Sequence, residues 1–505
     1  NLYDIAASIN TAGSGSSRMS INKDAFLATF NGNYKDYLFV EATVRRDRTS
    51  TMNPNNNSFV YPSVNSSFIF SDALKMPSWL SYGKVRGSWG IVGNYPDAYL
   101  ANVAYGQNTL GSQGGNAVLY TSIPMNFGND AIRPEQKKEF EFGIETRLFK
   151  NRVTFEASYY NAQVVDQILP LSLPATSGAT SILANVGTLR NTGIEVTISG
   201  YPIKKANFSW ETGINLSQNQ NKVEQLAPGL TELLHADYDG NAAQLKSVVG
   251  QPMGDFYAHP VLKNAKGEMI VNPDGTYALD ANNMYKVGNA MPKVIGGWFN
   301  TVKYKNFSFD AMIDFRFGGY VMPTGIYWMI SRGLLEESLE AMDKEHGGLS
   351  YYKDKTSGKY VQTNATAGPQ GEKVFNDGML LPGVKADGSK NDYLVPQSYY
   401  FWNTYNWGGP QYSSSRYELY IQKNSYIKMR EVTLGYTMPT KVASMIGAKK
   451  LKFSVFGRNL FYIYRTLKHL DAEQTTAGSR WAQNLNNAGG NPSTRSFGVM
   501  LRATF

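Results

Sequence analysis

The sequence predicts an all-β fold, a transmembrane antiparallel β-barrel wall of about thirteen strands, and three observations carry that prediction. Apolar and polar side chains alternate over long runs, the period of two that belongs to strands. The runs reach about ten residues or more, above the five or six usual in soluble sheets. The segments between them alternate short and long, as the two rims of an outer-membrane-type barrel do.

A first strand is expected near residues 18–31, and the short turn "NGNYKDY" leads to "YLFVEATVR". There Leu38, Val40, Ala42 and Val44 share one face, and Phe39, Glu41, Thr43 and Arg45 share the other. "EFEFGIETRLF" sets Phe140, Phe142, Ile144 and Leu148 against Glu139, Glu141, Glu145 and Arg147. "VTFEASYY", "NFSWETGINLS", "FSFDAMIDFRF" and "LKFSVFGRN" repeat the pattern, and "SFGVMLRATF" ends it with Phe497, Val499, Leu501, Ala503 and Phe505 on one face. The strand at 425–437 breaks phase: Ile427 and Met429 share a face, then Val432, Leu434 and Tyr436 do. A bulge near Arg430–Glu431 accounts for it.

Long extracellular loops are expected at about 95–134, 219–291, 321–424 and 466–493, with 171–186 also long. Short connections fall at 71–79, 150–151, "YPIKKAN", Lys305–Asn306 and 440–449, with a medium one at 47–59. In 321–424, "GLLEESLEAMDKEHGG" reads as a short amphipathic helix stopped by Gly347 and Gly348. With about thirteen strands and a last strand running down to a periplasmic C-terminus, the first strand also runs down, and Asn1 begins in an extracellular loop. An odd count predicts the C-terminal portion of a larger barrel, spanning residues 1–505.

Composition agrees. There are 33 Tyr, 25 Phe and 8 Trp, residues suited to membrane interfaces, and no cysteine, which removes disulfides and thiolate chemistry. No apolar run is long enough for a membrane helix, and "NLYDIAASINTAGSGSSR" lacks the pattern of a signal peptide. The net charge of +9 reads as Lys and Arg scattered on a wet wall; no nucleic-acid partner is expected, and membrane lipid is.

The strand wording resembles the SusC-like TonB-dependent transporters of the Bacteroidetes. "YLFVEATVRRDRTST", "VRGSWGIVGN", "IRPEQKKEFEFGIETRLF", "NVGTLRNTGIEVTI", "YIKMREVTLGYTMP", "FGRNLF" and "STRSFGVMLRATF" carry the resemblance, in order, over nearly the whole chain. It implies a barrel of about 22 strands with an N-terminal plug and a SusD-like surface lipoprotein as lid. It also implies import of oligosaccharides or peptides, powered by TonB–ExbB–ExbD through a TonB box near the N-terminus. The plug, the TonB box and the remaining strands are missing from these residues, so energy coupling is expected to reside outside them. Phe505 resembles the terminal aromatic that signals barrel assembly. A passive outer-membrane porin is the alternative function.

No enzyme is expected: there is no G-x-S-x-G, H-E-x-x-H or phosphate-binding loop. His235, His259, His346 and His469 lack ligand spacing, "DYDGN" reads as a turn, and no cofactor or metal is expected. Glu139, Glu141 and Glu145 share a face with Arg147 and read as solvated wall. Substrate contacts are sought among loop aromatics, whose faces stack on sugar rings. The candidates are Tyr399, Tyr400, Trp402, Tyr405, Trp407 and Tyr412, then Tyr95, Asp97 and Tyr99, then Trp481 and Asn484. The same aromatics could instead pack the loops together or contact the lid.

Overall fold

The computed structural model describes residues 19–98, 100–101, 105–113, 116–406, 415–473 and 492–505. Thirteen strands form one antiparallel sheet in chain order. They are β1 (Lys23–Tyr34), β2 (Leu38–Thr49), β3 (Ser58–Phe68), β4 (Leu80–Asn94), β5 (Glu135–Leu148), β6 (Val153–Val165) and β7 (Thr188–Lys204). There follow β8 (Phe208–Gln225), β9 (Pro292–Tyr304), β10 (Phe307–Gly318), β11 (Tyr426–Thr437), β12 (Lys450–Arg465) and β13 (Ser496–Thr504). Connections after odd-numbered strands are short: 35–37, 69–79, 149–152, 205–207, 305–306 and 438–449. Those after even-numbered strands are long, apart from 50–57: 95–134, 166–187, 226–291, 319–425 and 466–495. The alternation of short and long connections that the sequence predicts is therefore present.

Contacts divide the chain into two compact units, one drawn from 1–68, 86–141 and 161–190, the other from 69–85, 142–160 and 191–505. In the first, β1 and β2 turn at Lys35 and Asp36, both left-handed, with the Asp36 amide donating to Asn33 Oδ1 at 3.0 Å. Register places Phe30 beside Ala42 and Ala42 beside Val64, an apolar face. Opposite it, Asn65 Nδ2 donates to Glu41 Oε1 at 3.2 Å and Arg45 pairs with Asp47 at 2.5 Å.

In the second unit, register lines up Phe208, Tyr304, Phe307, Tyr436, Phe453 and Leu501 in one row across β8–β13, beside the short connections. The next outward row holds Trp210, Val302, Phe309, Leu434, Val455 and Val499. An aromatic-rich row near the rim, followed by a second apolar row, is what a bilayer interface and its hydrocarbon select. The inward row carries Glu211, Thr301, Asp310 and Thr433, with Thr301 Oγ1 donating to Asp310 Oδ1 at 2.8 Å.

The phase break in β11 is a bulge at Arg430. Pairing with β10 passes from Glu431–Met312 to Met429–Ile313 and skips it. The extra residue turns both Arg430 and Glu431 inward and restores the apolar face beyond.

The long connections 226–291 and 319–425 fold on their own core. Glu232–Tyr238, Ala243–Val248, Asp255–Ala258 and Tyr285–Asn289 form a four-stranded sheet. Tyr360–Gln362, Leu349–Lys353, Val374–Leu380 and Leu394–Pro396 form a second. Helices α1 (Thr324–Ser331) and α2 (Gln397–Thr404) join them around Leu245, Phe256, Val271, Met322, Val395, Tyr417 and Tyr420. "DYDGN" is the turn of the first hairpin, with Asp239, Gly240 and Asn241 left-handed and the Asn241 amide on Asp237 Oδ1 at 2.8 Å.

The expected helix over 333–348 does not form. Gly333 is left-handed, Leu335 is extended, and only a 3-10 turn, Glu336–Leu339, follows. Glu336, Glu337 and Glu340 would crowd like charges at helical spacing, and Ala341 takes positive φ to close on the His346 carbonyl.

Candidate functional site

Helix α2 shows how the aromatic cluster divides. Its 3.6-residue period turns Tyr400, Phe401 and Thr404 into the core and Tyr399 and Trp402 out. Tyr400 packs edge-on against Phe401 at 5.6 Å. Just past the helix end, Tyr405 stacks on Phe401 at 5.5 Å and on Tyr327 at 5.7 Å. Tyr327 stacks on Tyr420 at 4.3 Å and 9°, and Tyr420 on Tyr417 at 4.6 Å. Burial pushes the Tyr327, Tyr405 and Tyr420 phenols above their ordinary range, so this pile stays uncharged. Tyr400 and Tyr405, sought among the substrate contacts, are thus placed inside the loop core, where the helical period and ring stacking hold them.

The outward face is built differently. Trp402 of α2 is 47% exposed and Trp328 of α1 41%. The Arg332 guanidinium lies 4.0 Å from the Trp328 ring and 5.0 Å from the Trp402 ring. Its Nη1 donates to Ser331 Oγ at 2.7 Å and to the Trp328 carbonyl at 3.3 Å. One guanidinium over two exposed indoles brings aromatic faces and hydrogen-bond donors together in a platform. Tyr399, 43% exposed, reaches Asp274 Oδ2 at 3.4 Å. Trp328 and Arg332 were not among the sequence candidates, although their i, i+4 spacing in "YWMISR" was the available signal.

The other candidates fall elsewhere. Tyr95, in the first unit, receives the Tyr61 hydroxyl at 2.6 Å and packs against Phe59, while Asp97 is exposed. Tyr99, Trp407, Tyr412, Trp481 and Asn484 lie outside the described residues. Phe505 follows β13, exposed, its carbonyl accepting from Lys449 Nζ at 3.3 Å.

A second cluster sits on the inward face where the bulge places it. Arg430 makes a two-pronged pair with Asp314, at 3.1 and 2.6 Å, and its Nη1 donates to Asn459 Oδ1 at 2.7 Å and to Glu473 at 3.0 Å. Lys428, 2% exposed, also pairs with Glu473 and donates to Ser493 Oγ at 3.1 Å. Burial opposes the charge on Asp471, yet hydrogen bonds from Ser493 and Tyr462 hold it well below the usual carboxylate range. Arg430 and Lys428 likewise lower Glu473 against its burial. The group ties the ends of the 466–495 connection to β10, β11 and β12.

His235 gives the loop fold an acid limit. Burial lowers its pKa from 6.5 to about 4, and its Nε2 meets Ser247 Oγ at 2.7 Å. The unfolded chain therefore binds the extra proton between those values. Stability should rise with pH across that window and fall on acidification by roughly 3 kcal/mol. Acid titration of loop unfolding checks this, and His235→Gln should flatten the dependence.

A wall of long antiparallel strands, apolar and ringed outside and charged inside, with short connections on one rim, defines an outer-membrane-type β-barrel. Residues 1–322 match the TonB dependent receptor-like, β-barrel family, and the chain belongs to that family of outer-membrane proteins. It is 26% identical over 469 residues to TonB-dependent receptor P3 of Formosa agariphila, covering 87% of this chain and 41% of that one. It is 25% identical over 306 residues to TonB-dependent receptor SusC of Bacteroides thetaiotaomicron, covering 56% of this chain and 30% of that one. Its fold matches the solved RagAB peptide transporter with a TM-score of 0.66 at 18% identity, over 95% of this chain and 47% of that one. The chain thus spans less than half the length of these relatives.

Proposed function

We propose that this chain supplies the C-terminal barrel strands of a SusC-type importer of oligosaccharides. In this reading the plug and remaining strands belong to the part of the protein outside these residues, and TonB–ExbB–ExbD drives transport through them. A SusD-like lipoprotein covers the rim of long loops, the C-terminus lies in the periplasm, and Phe505 is the assembly signal. The observation that carries the reading is the Trp328–Arg332–Trp402 platform on the folded loops. Indole faces stack on sugar rings, and guanidinium donors bond ring oxygens and hydroxyls. Family membership supports the importer, and the RagAB peptide transporter, which the fold resembles, makes peptide the alternative cargo.

The test is uptake of labelled oligosaccharides by cells carrying the full protein, with and without TonB. Uptake abolished without TonB supports active import; unchanged uptake would establish a passive pore. Trp402→Ala should weaken oligosaccharide binding about tenfold, the loss of about 1–1.5 kcal/mol of stacking. Binding that favours peptides and ignores Trp402 would replace the glycan reading.

A further inference from the structure

The connection 438–449, between β11 and β12, lies on a defined side of the sheet. Leu451 alternates with Phe453 and Val455, so it belongs to their outward face. Those two are each 40% exposed, and Leu451 only 8%. Its cover is the connection itself: Ala443 and Ala448, both buried, pack on Leu451 together with Met438. The Met438 amide donates to the Leu451 carbonyl at 2.8 Å. What buries an outward side chain stands outward too, so the short helix Thr440–Ser444 lies against the apolar face of the wall and not against the charged one.

Local sequence shapes the connection. Pro439 opens the helix, its carbonyl accepting from the Val442 amide at 2.9 Å. Gly447, left-handed, closes it, and the Ala448 amide returns to the Ala443 carbonyl at 3.1 Å. Ala443 and Ala448 offer only a methyl group each, which lets the chain approach Leu451 closely. Val442, Met445 and Ile446 turn away from the wall: all three are exposed, Met445 by 83%. Lys441 and Lys449 flank this apolar trio, and no Asp or Glu occurs among residues 432–470.

We infer that this connection is an interfacial anchor, with Val442, Met445 and Ile446 seated in the lipid leaflet at the short-connection end of the wall. Continuity identifies the occupant: the helix that carries the trio covers Leu451, the next outward residue beside the row of Tyr436, Phe453 and Leu501, which faces the bilayer interface. Exposed apolar side chains flanked by lysine, without an acid, are the composition of an element that lies in that interface. Lys441, exposed and next to Val442, has a long apolar stem that lets its ammonium group stay in water while its neighbour goes deeper. The wall is thus held in the leaflet by a turn folded back on it as well as by its strands.

The experiment attaches a nitroxide to Met445→Cys in the full-length protein, reconstituted in phospholipid bilayers. Spin relaxation reads its collisions with oxygen, which concentrates in lipid, and with a nickel chelate, which stays in water. Val455→Cys on the outward face and Asn306→Cys in an exposed short connection supply the two references. The oxygen-to-nickel ratio at 445 should approach that at 455 and exceed that at 306 severalfold. A ratio like that at 306 would place the trio in water and overturn the inference. Few collisions with either reagent would mean that protein covers the trio, and would overturn it too. Should Met445→Cys fail to fold, Val442→Cys reads the same apolar trio against the same references.

Discussion

Tyr420→Ala is expected to destabilise the folded loops by about 3–5 kcal/mol, the cost of emptying a large buried aromatic site. Tyr420 is 1% exposed and stands between Tyr327 and Tyr417, so truncation breaks two stacks and opens a cavity amid rings that cannot collapse into it. Its hydroxyl donates to the Asn406 carbonyl at 3.1 Å, so Tyr420→Phe should cost only about 1 kcal/mol. Hydrogen exchange of α2 reads both: amides of 397–404 should exchange faster in the alanine variant and nearly as in the parent with phenylalanine. Because α2 carries Trp402 and α1 carries Trp328, the same substitution should loosen the platform without touching it. Unchanged exchange at α2 would mean the stack does not hold the helices.

Arg430→Met should be the costliest change on the inward face, about 3 kcal/mol. It leaves Asp314 and Glu473 without the guanidinium that bridges them, two partly buried carboxylates with Lys428 as the remaining cation. The contrast is Arg458, half exposed and paired with Glu431, where Arg458→Ala should cost less than about 1 kcal/mol. Loss of protection at residues 466–473 in the first variant, with none in the second, is the expected result. Equal behaviour would show that the bulge network does not anchor that connection. Pairing Arg430→Met with Glu473→Gln should recover part of the loss, since one unpaired charge is then removed.

Where the environment repeats, single residues were enough to read the fold. Each strand from Leu38 to Phe505 meets lipid on one side and water on the other, so the period of two is written residue by residue, and a single extra residue, Arg430, announces itself as a phase break. The loops obey no such rule. Tyr400 and Trp402 are neighbours in one aromatic run, and only the eight-residue helix that holds them sends one inward and the other out. That helix is too short to declare itself by pattern and is fixed by contacts with residues far along the chain, such as Tyr327 and Tyr420. The segment 333–348 shows the converse: local apolar spacing suggested a helix, but its glycine, its crowded carboxylates and the pull of the Leu335 and His346 carbonyls made turns. Trp328 and Arg332 lay unnoticed because their partner, Trp402, is distant in sequence.

In the proposed orientation the folded loops face outward and the short connections face the periplasm. None of these 505 residues is cysteine, so single cysteines introduced among them report on their own positions. Lys359→Cys lies on the loop fold and Asn306→Cys in a short connection, both exposed. Intact cells treated with a membrane-impermeant maleimide should label the first and spare the second, which should react only after the outer membrane is breached. Labelling of Asn306→Cys in intact cells, with Lys359→Cys protected, would contradict the account.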